Sequence, residues 1–548
     1  MAARLCLFVS LFSALSAAEF ALTPQLFQVD GGSAVNNAKL TWSAVDSAIN
    51  YIVSRTNSSA SSTVANVTGD SCDDYDLAVD TPVSYQIIAY NQGTQLDSSN
   101  TVQVIPYTPT ATYSTYKNTE VSSLNLRSGI EVNGTYYLFQ QGTDSRGYPS
   151  IVAQTSTDGY NFGTNSTVLG SETICASTNG TCKLERTVFF YNPSTDYFVM
   201  WAHYENAEDY SLGEVACAHG AAGQNWTFDG AYQPLGHDSR DMTVFTDDDG
   251  SAYLVSATNT NTDMNIYQLT SNWTAVDSLL TTVLKSQYRE APAVVKDNGT
   301  YFLFTSRAAG WYPSAPEYIS SSAMEGPWSE SRYIGNTATF CTQSGSVEEA
   351  NSSYVMMGDR WSANWSPAQP PNRELALPLS FSGTGYASYH YYTVVKASDD
   401  GGIYGVQSGK ILSQGKEATS SGGSNITLAT DGTQDDPNLY FMPDAVPFWL
   451  QIDLEDSYAI TQVDLTTRMV QGSETYYQFN ITASIDGSSY TLLADASNNT
   501  DVGFKSVLTS NTEEYRYVRI NVDKVINTHN SNEADWAAGV HELIVYGR

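Results

Sequence analysis

The stretch Gly299-Thr300-Tyr301-Phe302-Leu303-Phe304 is a short aromatic-rich run that follows a turn-forming glycine, a pattern that predicts a buried β-strand. Similar runs recur at a spacing of roughly 50 to 60 residues, as the units of a repeat architecture do. The others are Gly134-Thr135-Tyr136-Tyr137-Leu138, Asp196-Tyr197-Phe198-Val199-Met200-Trp201, Gly250-Ser251-Ala252-Tyr253-Leu254-Val255 and Ser353-Tyr354-Val355-Met356-Met357. Five such units predict a five-bladed β-propeller, which we place at 112–395.

Strand patterns with turn signals also fill the regions on both sides of these repeats, and helical periodicity is nearly absent. We therefore predict an all-β chain. Before the repeats, alternation in Tyr51-Ile52-Val53 and Ser84-Tyr85-Gln86-Ile87 has the spacing of a β-sandwich, and Tyr85 stands where a tyrosine corner would. Residues 19–108 resemble a fibronectin type III module, in which we expect Trp42 to lie in the core.

The charge of the chain excludes some partners. With 58 acidic and 25 basic residues the formal net charge is -33, which opposes binding to nucleic acid or anionic membranes. A neutral polysaccharide or oligosaccharide is compatible with this charge. We expect no nucleic-acid partner, no membrane insertion and a monomer.

The first residues have the pattern of a secretory signal peptide, predicted at 1–18. Leu5 to Leu15 are mostly apolar, Ser16-Ala17-Ala18 offers small residues for cleavage, and no later stretch has the roughly 18 apolar residues of a membrane span. Thirteen Asn-x-Ser/Thr acceptors suit a glycosylated product. We expect a secreted, extracellular protein.

The cysteines fit an oxidising compartment. Cys175 and Cys182 are close enough in sequence to close a local disulfide loop. Cys217 and Cys341 could form a second pair, which would leave Cys72 free.

Lone acidic residues stand beside strand-like sequence in three successive repeats. They occur in Leu184-Glu185-Arg186, in Ser239-Arg240-Asp241-Met242 and in Arg289-Glu290-Ala291-Pro292. In a propeller the innermost strands face a common axis, so these carboxylates are expected to meet. Hydrolysis of a glycosidic bond needs such a set, because one acid protonates the departing oxygen while others tune it and hold the sugar.

These motifs, together with Gly310-Trp311, Gly326-Pro327-Trp328 and Met357-Gly358-Asp359-Arg360-Trp361, resemble glycoside hydrolase family 43 in order, and in particular its exo-β-1,3-galactanase branch. The resemblance covers roughly 113–381. It implies a five-bladed propeller that hydrolyses galactan with inversion at the anomeric carbon and needs no cofactor; metal content stays open.

The resemblance also implies residue roles. Glu290 corresponds to the general acid, Asp241 to the carboxylate that orients it and adjusts its pKa, and Glu185 to a substrate-holding acid. Trp311, Arg360 and Trp361 are expected to bind substrate. The alternative is that Glu185 merely pairs with an arginine or caps a turn.

The first repeat departs from most of that family. It reads Asn125-Leu126-Arg127-Ser128-Gly129, without a carboxylate that could activate water. The galactanase branch is thought to use a glutamine instead, and Gln343 occupies that place. A neutral amide is a poor base, so Gln343 either acts as the base or only orients the water.

The last part of the chain, 412–548, changes character. Ala429-Thr430-Asp431-Gly432, Phe448-Trp449-Leu450-Gln451-Ile452-Asp453-Leu454 and Val540-His541-Glu542-Leu543-Ile544-Val545 resemble a discoidin (factor 5/8 type C) module. This implies a jelly-roll β-sandwich whose loops bind sugars, sometimes with a structural calcium. Tyr440 and Phe441 are loop aromatics that could contact a ligand. We expect the module to act as a tether through effective concentration.

Two function classes compete on the sequence. The first is a secreted exo-acting hydrolase that releases galactose from β-1,3-galactan, such as the arabinogalactan backbone. The second is a carbohydrate-binding protein with an inactive propeller, and an arabinofuranosidase or β-xylosidase of the same fold is a related alternative. Glu185, Asp241, Glu290 and Gln343 occurring together favour the first class.

Overall fold

The structure is a computed structural model that describes residues 20–57, 60–118, 126–223, 225–350, 353–361, 373–383, 385–398 and 402–548. The predicted signal peptide lies outside these residues. Within them, one short α-helix, α1 (Ser171–Ile174), and four 3-10 turns (Ala176–Thr178, Pro234–Gly236, Ile426–Ala429 and Asp535–Ala537) accompany the strands. The all-β prediction is therefore confirmed. No helix in the described part of the chain is long and apolar enough to span a membrane.

The N-terminal strands form a β-sandwich around Trp42, Tyr51 and Tyr85, all of them buried. One sheet has the order β5-β2-β1, and the other has the order β4-β3-β6-β7 with β8 paired to β6. Trp42 lies in the core, as expected, while the fibronectin type III assignment stays a prediction. The strands are β1 (Leu22–Val29), β2 (Asn37–Trp42), β3 (Asn50–Asn57), β4 (Ala60–Val67), β5 (Ser71–Asp74), β6 (Val83–Asn91), β7 (Thr94–Ser98) and β8 (Val102–Val104).

The N-terminal sheet does not end within 19–108. Strand β9 (Thr112–Lys117) precedes the repeats, and β30 (Val394–Ser398) and β31 (Ile403–Gln407) follow them. Strand β1 pairs in parallel with β31, which continues through β30 to β9 in a six-stranded sheet. The sandwich and the repeat region thus share a sheet instead of being joined by a free linker.

The repeats form five four-stranded antiparallel sheets, each made of consecutive strands. The strands are β10 (Ile130–Val132), β11 (Thr135–Thr143), β12 (Pro149–Ser156) and β13 (Ser166–Leu169); β14 (Cys182–Asn192), β15 (Tyr197–Asn206), β16 (Glu214–Gly220) and β17 (Thr227–Tyr232); β18 (Met242–Thr246), β19 (Ala252–Thr258), β20 (Asp263–Leu269) and β21 (Val276–Val283); β22 (Arg289–Asp297), β23 (Thr300–Arg307), β24 (Glu317–Ser321) and β25 (Arg332–Tyr333); and β26 (Gln343–Ala350), β27 (Ser353–Arg360), β28 (Arg373–Phe381) and β29 (Ala387–Tyr389).

The aromatic runs found in the sequence correspond to the second strand of each sheet, from β11 to β27. The first strands lie further inward: β14 contacts β18, β18 contacts β22, and β22 contacts β26. This is a propeller-type arrangement, and it brings residues at the start of each first strand together.

A disulfide joins Cys175 to Cys182 beside α1, as the spacing predicted. The predicted disulfide between Cys217 and Cys341 does not form, although both residues are buried, as is Cys72. Cys217 lies in β16 and Cys341 lies just before β26, three sheets further along the chain.

The C-terminal module is a second β-sandwich. Its core contains Leu450, Phe479 and Val545. Phe441 is also buried there, so it is not a surface ligand platform. The strands are β32 (Lys410–Ile411), β33 (Ala418–Ser420), β34 (Gly423–Ser424), β35 (Met442–Pro443), β36 (Phe448–Thr467), β37 (Thr475–Ser484), β38 (Thr491–Ala496), β39 (Phe504–Leu508), β40 (Glu514–Asn527) and β41 (Val540–Gly547).

Candidate active site

Irregular backbone at the first strands points the candidate residues into one site. The strand pairing shifts register after Glu185 in β14, after Glu290 in β22 and after Ser344 in β26. The following residues Arg186 and Ala291 have φ values of 51° and 48°. Such bulges re-aim side chains, and they are common next to active sites.

Glu290 is the buried acid of the site, with 8% of its surface exposed. Its Oε1 accepts a hydrogen bond from Gln343 Nε2 at 2.8 Å and a longer one from the Ala309 amide at 3.4 Å, and its Oε2 accepts one from Asn261 Nδ2 at 3.1 Å. Burial, and then the negative charge of Asp241, raises the pKa of Glu290 to about 8. Glu290 therefore keeps its proton at neutral pH, as a general acid must.

Asp241 is held against the strand that carries Glu290. Its Oδ2 accepts a hydrogen bond from the Ala291 amide at 3.1 Å, and it lies 3.4 Å from Arg186 Nε. Asp241 is therefore held by the residue that follows Glu290. At this position the charge of Asp241 opposes ionisation of Glu290.

Arg186 connects the acidic residues. Its Nη1 donates to Asp359 Oδ2 at 2.9 Å and its Nη2 to Gln343 Oε1 at 3.1 Å. Burial opposes the charge on the guanidinium, but Asp241 and Asp359 outweigh burial and raise the pKa of Arg186 further. A permanent cation thus balances the two carboxylates that surround it.

Gln343 begins β26 and uses its amide completely. Its Nε2 donates to Glu290 and to Ser306 Oγ at 3.1 Å, and its Oε1 accepts from Arg186 and from Trp361 Nε1 at 2.8 Å. Arginine and tryptophan have donors only, so these partners fix the amide orientation. An imidic-acid form with a hydroxyl on Oε1 would lose both accepted bonds, which favours an orienting role for Gln343 over that of a base.

Glu185 lies in β14, on another sheet, with about a quarter of its side chain exposed. Tyr210 donates to its Oε1 at 2.7 Å, and His203 Nδ1 makes an ionic contact with its Oε2 at 3.3 Å. Burial disfavours the charge on Glu185, but the His203 and Tyr210 contacts outweigh burial and lower its pKa. Glu185 is thus an ionised acceptor, suited to hold sugar hydroxyls.

A buried histidine, His203, lies between Glu185 and a second acid, Glu205. His203 Nε2 lies 3.1 Å from Oε1 of Glu205, and Glu205 also accepts hydrogen bonds from two backbone amides. Burial lowers the pKa of His203, but the two carboxylates reverse this and raise it. Histidine is therefore stabilised as a cation between two acids.

Two tryptophans form the rim of the site. The Trp311 and Trp361 rings are edge to face with centroids 5.0 Å apart. Trp361 donates to Gln343, whereas Trp311 is 37% exposed. The structure thus brings both predicted substrate-binding tryptophans to the site.

Arg360 requires a correction. It is buried, and its guanidinium donates to the backbone carbonyls of Phe340, Cys341 and Asn118 at 3.1 to 3.3 Å. The guanidinium is therefore committed to backbone and does not bind substrate. Its neighbour Trp361 follows the end of β27 and faces the site, where it donates to Gln343.

The sequence did not assign roles to several residues of the site. Arg186 and Asp359 stood within quoted motifs, directly beside Glu185 and Arg360, and adjacency to a candidate was the available signal. Asn261 has φ of 63° and a buried Oδ1 without a hydrogen-bond partner among the described residues. No sequence signal pointed to Asn261, because it reaches Glu290 from a turn in another sheet.

Ligand atoms of Glu185, His203 and Asp241 lie within 4.8 Å of one another, a spacing that could hold a metal ion. Tyr210 and Arg186 already contact these carboxylates. The expectation that the reaction needs no cofactor stays a prediction.

Comparison with known proteins agrees with this geometry. Residues 127–361 match the family model of glycosyl hydrolases family 43, and residues 428–520 match that of the NedA-like, galactose-binding domain. A buried carboxyl with a raised pKa beside a second carboxyl group suits the hydrolysis of a glycosidic bond by a general acid. Residues 127–361 are therefore similar to family 43 glycosyl hydrolases, and a discoidin-type domain follows them. No curated relative matches the chain.

Solved structures with a similar fold include two exo-β-1,3-galactanases. The one from Phanerochaete chrysosporium, solved with galactose, is 24% identical, with a TM-score of 0.49, over 80% of this chain and 100% of that chain. The one from Clostridium thermocellum is 22% identical, with a TM-score of 0.47, over 80% of this chain and 96% of that chain.

Proposed function

We propose that this protein is a secreted exo-acting hydrolase that releases galactose from β-1,3-galactan, with inversion at the anomeric carbon. The observation that carries this proposal is the pair of Glu290 and Gln343. A buried carboxyl with a pKa of about 8 is bonded directly to an amide that stands where the galactanase-like motif series has its glutamine.

In the proposed reaction Glu290 gives its proton to the departing glycosidic oxygen. Asp241 keeps Glu290 protonated until that moment, and Arg186 balances the negative charge that Glu290 then acquires. Glu185 holds hydroxyl groups of the sugar. Water forms the new bond to the anomeric carbon from the opposite face and releases its proton to solvent, while Gln343 orients Glu290 through the hydrogen bond from its amide.

Secretion and glycosylation are part of the proposal. The Asn residues of Asn-x-Ser/Thr acceptors at Asn57, Asn66, Asn133, Asn165, Asn179, Asn225, Asn272, Asn298, Asn425 and Asn498 are exposed, and that at Asn480 is partly exposed. Asn351 and Asn364 lie outside the described residues. Exposed acceptors and the Cys175–Cys182 disulfide support an extracellular protein.

We propose that the C-terminal module binds galactose-type sugars and holds a structural calcium ion. Calcium prefers carboxylate oxygen ligands, and the acidic residues of this module include Asp431, Asp435 and Glu542. Burial raises the pKa of Asp431 and of Asp435 to about 6 and raises that of Glu542 as well. A divalent cation would stabilise these buried carboxylates in their charged form.

A substrate panel tests the proposal. Purified protein is incubated with β-1,3-galactotriose, an arabinan oligosaccharide and a xylan oligosaccharide, and the products are separated by chromatography. We expect galactose from the first substrate only. Release of arabinose or xylose instead would show the alternative hydrolase of the same fold, and binding without release from any substrate would show a carbohydrate-binding protein.

A further inference from the structure

The C-terminal module packs against the segment that carries Gln343. Three consecutive residues before it, Thr339, Phe340 and Cys341, have φ values of 45°, 52° and 68°. Left-handed backbone costs a non-glycine residue roughly 1 kcal/mol or more, so the surrounding structure must hold this segment in place. We refer to residues 336–343 as the Gln343 segment.

Part of that support comes from the hydrolase domain. Asn336 Oδ1 accepts from the amides of Ala338 and Phe340, and Arg360 donates to the carbonyls of Phe340 and Cys341. These bonds fix the polar side of the Gln343 segment.

The apolar side is covered by the C-terminal module. Phe504, at the start of β39, is 3% exposed and lies in the hydrophobic cluster of the hydrolase domain. Its ring centroid is 5.2 Å from that of Phe340 and 4.7 Å from that of Tyr391, and the Val502 amide donates to Cys341 Sγ at 3.3 Å. Removing the module would therefore expose the Gln343 segment.

A second contact reaches the tryptophan rim. His529 of the C-terminal module stacks on Tyr312, with centroids 4.1 Å apart, and bonds Glu474 on its other side. Tyr312 directly follows Trp311, and Ala309, which donates to Glu290, belongs to the same loop. The loop at the rim is thus fixed by a residue outside the hydrolase domain.

We propose that Phe504 and His529 are positioning residues of the active site, so that the C-terminal module assembles the site as well as binding sugar. This inference rests on the proposed function for its kinetic test. It differs from the tether that the sequence predicted, because a tether would leave cleavage of a short substrate unchanged when the contact is lost.

The first test compares Phe504→Leu with Phe479→Leu, which makes the same change inside the module's own core. We expect Phe504→Leu to speed amide hydrogen exchange in the Gln343 segment about tenfold. We also expect it to lower kcat on β-1,3-galactotriose by about tenfold with little change in KM. Phe479→Leu should lower the melting temperature and leave both readouts unchanged at a temperature where it is folded.

The second test uses His529→Ala and His529→Phe, with His219→Ala as the control. His219 also contacts an aromatic ring, that of Tyr197, and a carboxylate, that of Asp229, but on another sheet. We expect His529→Ala to raise KM for β-1,3-galactotriose about fivefold by loosening the Trp311 loop, and His529→Phe to restore most of the loss by stacking.

Unchanged exchange in the Gln343 segment of Phe504→Leu, or an equal change in Phe479→Leu, would overturn the inference. So would a failure of His529→Phe to differ from His529→Ala. Hydrogen exchange needs no substrate, so a protein that does not cleave galactan would contradict the proposed function while the exchange result still decides this inference.

Discussion

Gln343 Nε2 lies 2.8 Å from Glu290 Oε1, and the two residues come from strands of different sheets, 53 positions apart in the chain. The amide is oriented by Arg186 and Trp361, so it presents a donor to the acid. Glu290 is therefore held in place by residues of two other sheets, those that contain β14 and β26.

The pH dependence of the reaction follows from Glu290. The acid must be protonated to react, so kcat/KM should fall as the pH rises through about 8. Asp241→Asn removes the neighbouring charge, so the fall should move to lower pH by roughly one pH unit. A pH profile of each enzyme on β-1,3-galactobiose measures this. The control is Asp248→Asn, which changes an acid at an exposed turn. If the profile of Asp241→Asn were identical to that of the control, Asp241 would not be the residue that adjusts the pKa of Glu290.

Glu290 should also cost stability at neutral pH. Its pKa is about 8 when folded, against a usual value of 4.5, so between these values the unfolded state binds fewer protons and stability falls as the pH rises. Glu290→Gln avoids this cost. We expect the variant to be more stable than the wild type by about 1–3 kcal/mol at pH 7 and equally stable at pH 4. Urea unfolding at both pH values checks this, and a variant less stable at pH 7 would be inconsistent with a buried, strained acid.

Buried acids of the C-terminal module should respond to pH in the same direction. Asp431, Asp435 and Asp464 have a raised pKa of about 6, so they destabilise the fold progressively between pH 4 and pH 6. Without calcium, the melting temperature should be higher at pH 4 than at pH 7. Calcium should raise it at pH 7 and have little effect at pH 4, where the ligands are protonated. Equal effects of calcium and magnesium at pH 7 would argue against a specific site.

Arg360 should behave as a structural residue. Arg360→Met keeps much of the side-chain volume but leaves three backbone carbonyls without a donor, so we expect a loss of about 2–4 kcal/mol in the free energy of unfolding. KM for a short galactan should change less than twofold. A large rise in KM with unchanged stability would restore the substrate-binding role predicted from the sequence.

The strand pattern and the acidic motifs were readable from the sequence because both are local. The aromatic runs correspond to second strands, and the candidate acids lie in the first strands or, for Asp241, directly before one. The parallel pairing of β1 with β31 was not readable, because it joins residues almost 380 positions apart. Whether the Arg360 side chain points into the site or away from it depends on the orientation of its strand. The contact of Phe504 with Phe340 depends on how two domains pack. Neither leaves a signal in local sequence.

The central claim is that Glu290 protonates the leaving group. The most direct test compares the turnover by Glu290→Gln of two substrates whose leaving groups differ in their need for a proton. Turnover of β-1,3-galactobiose, whose leaving sugar needs a proton, should fall by about 10² to 10⁴. Turnover of 2,4-dinitrophenyl β-galactoside, whose leaving group departs without one, should fall by less than about tenfold. Equal losses on both substrates, or near wild-type turnover of β-1,3-galactobiose, would contradict the assignment of Glu290 as the general acid.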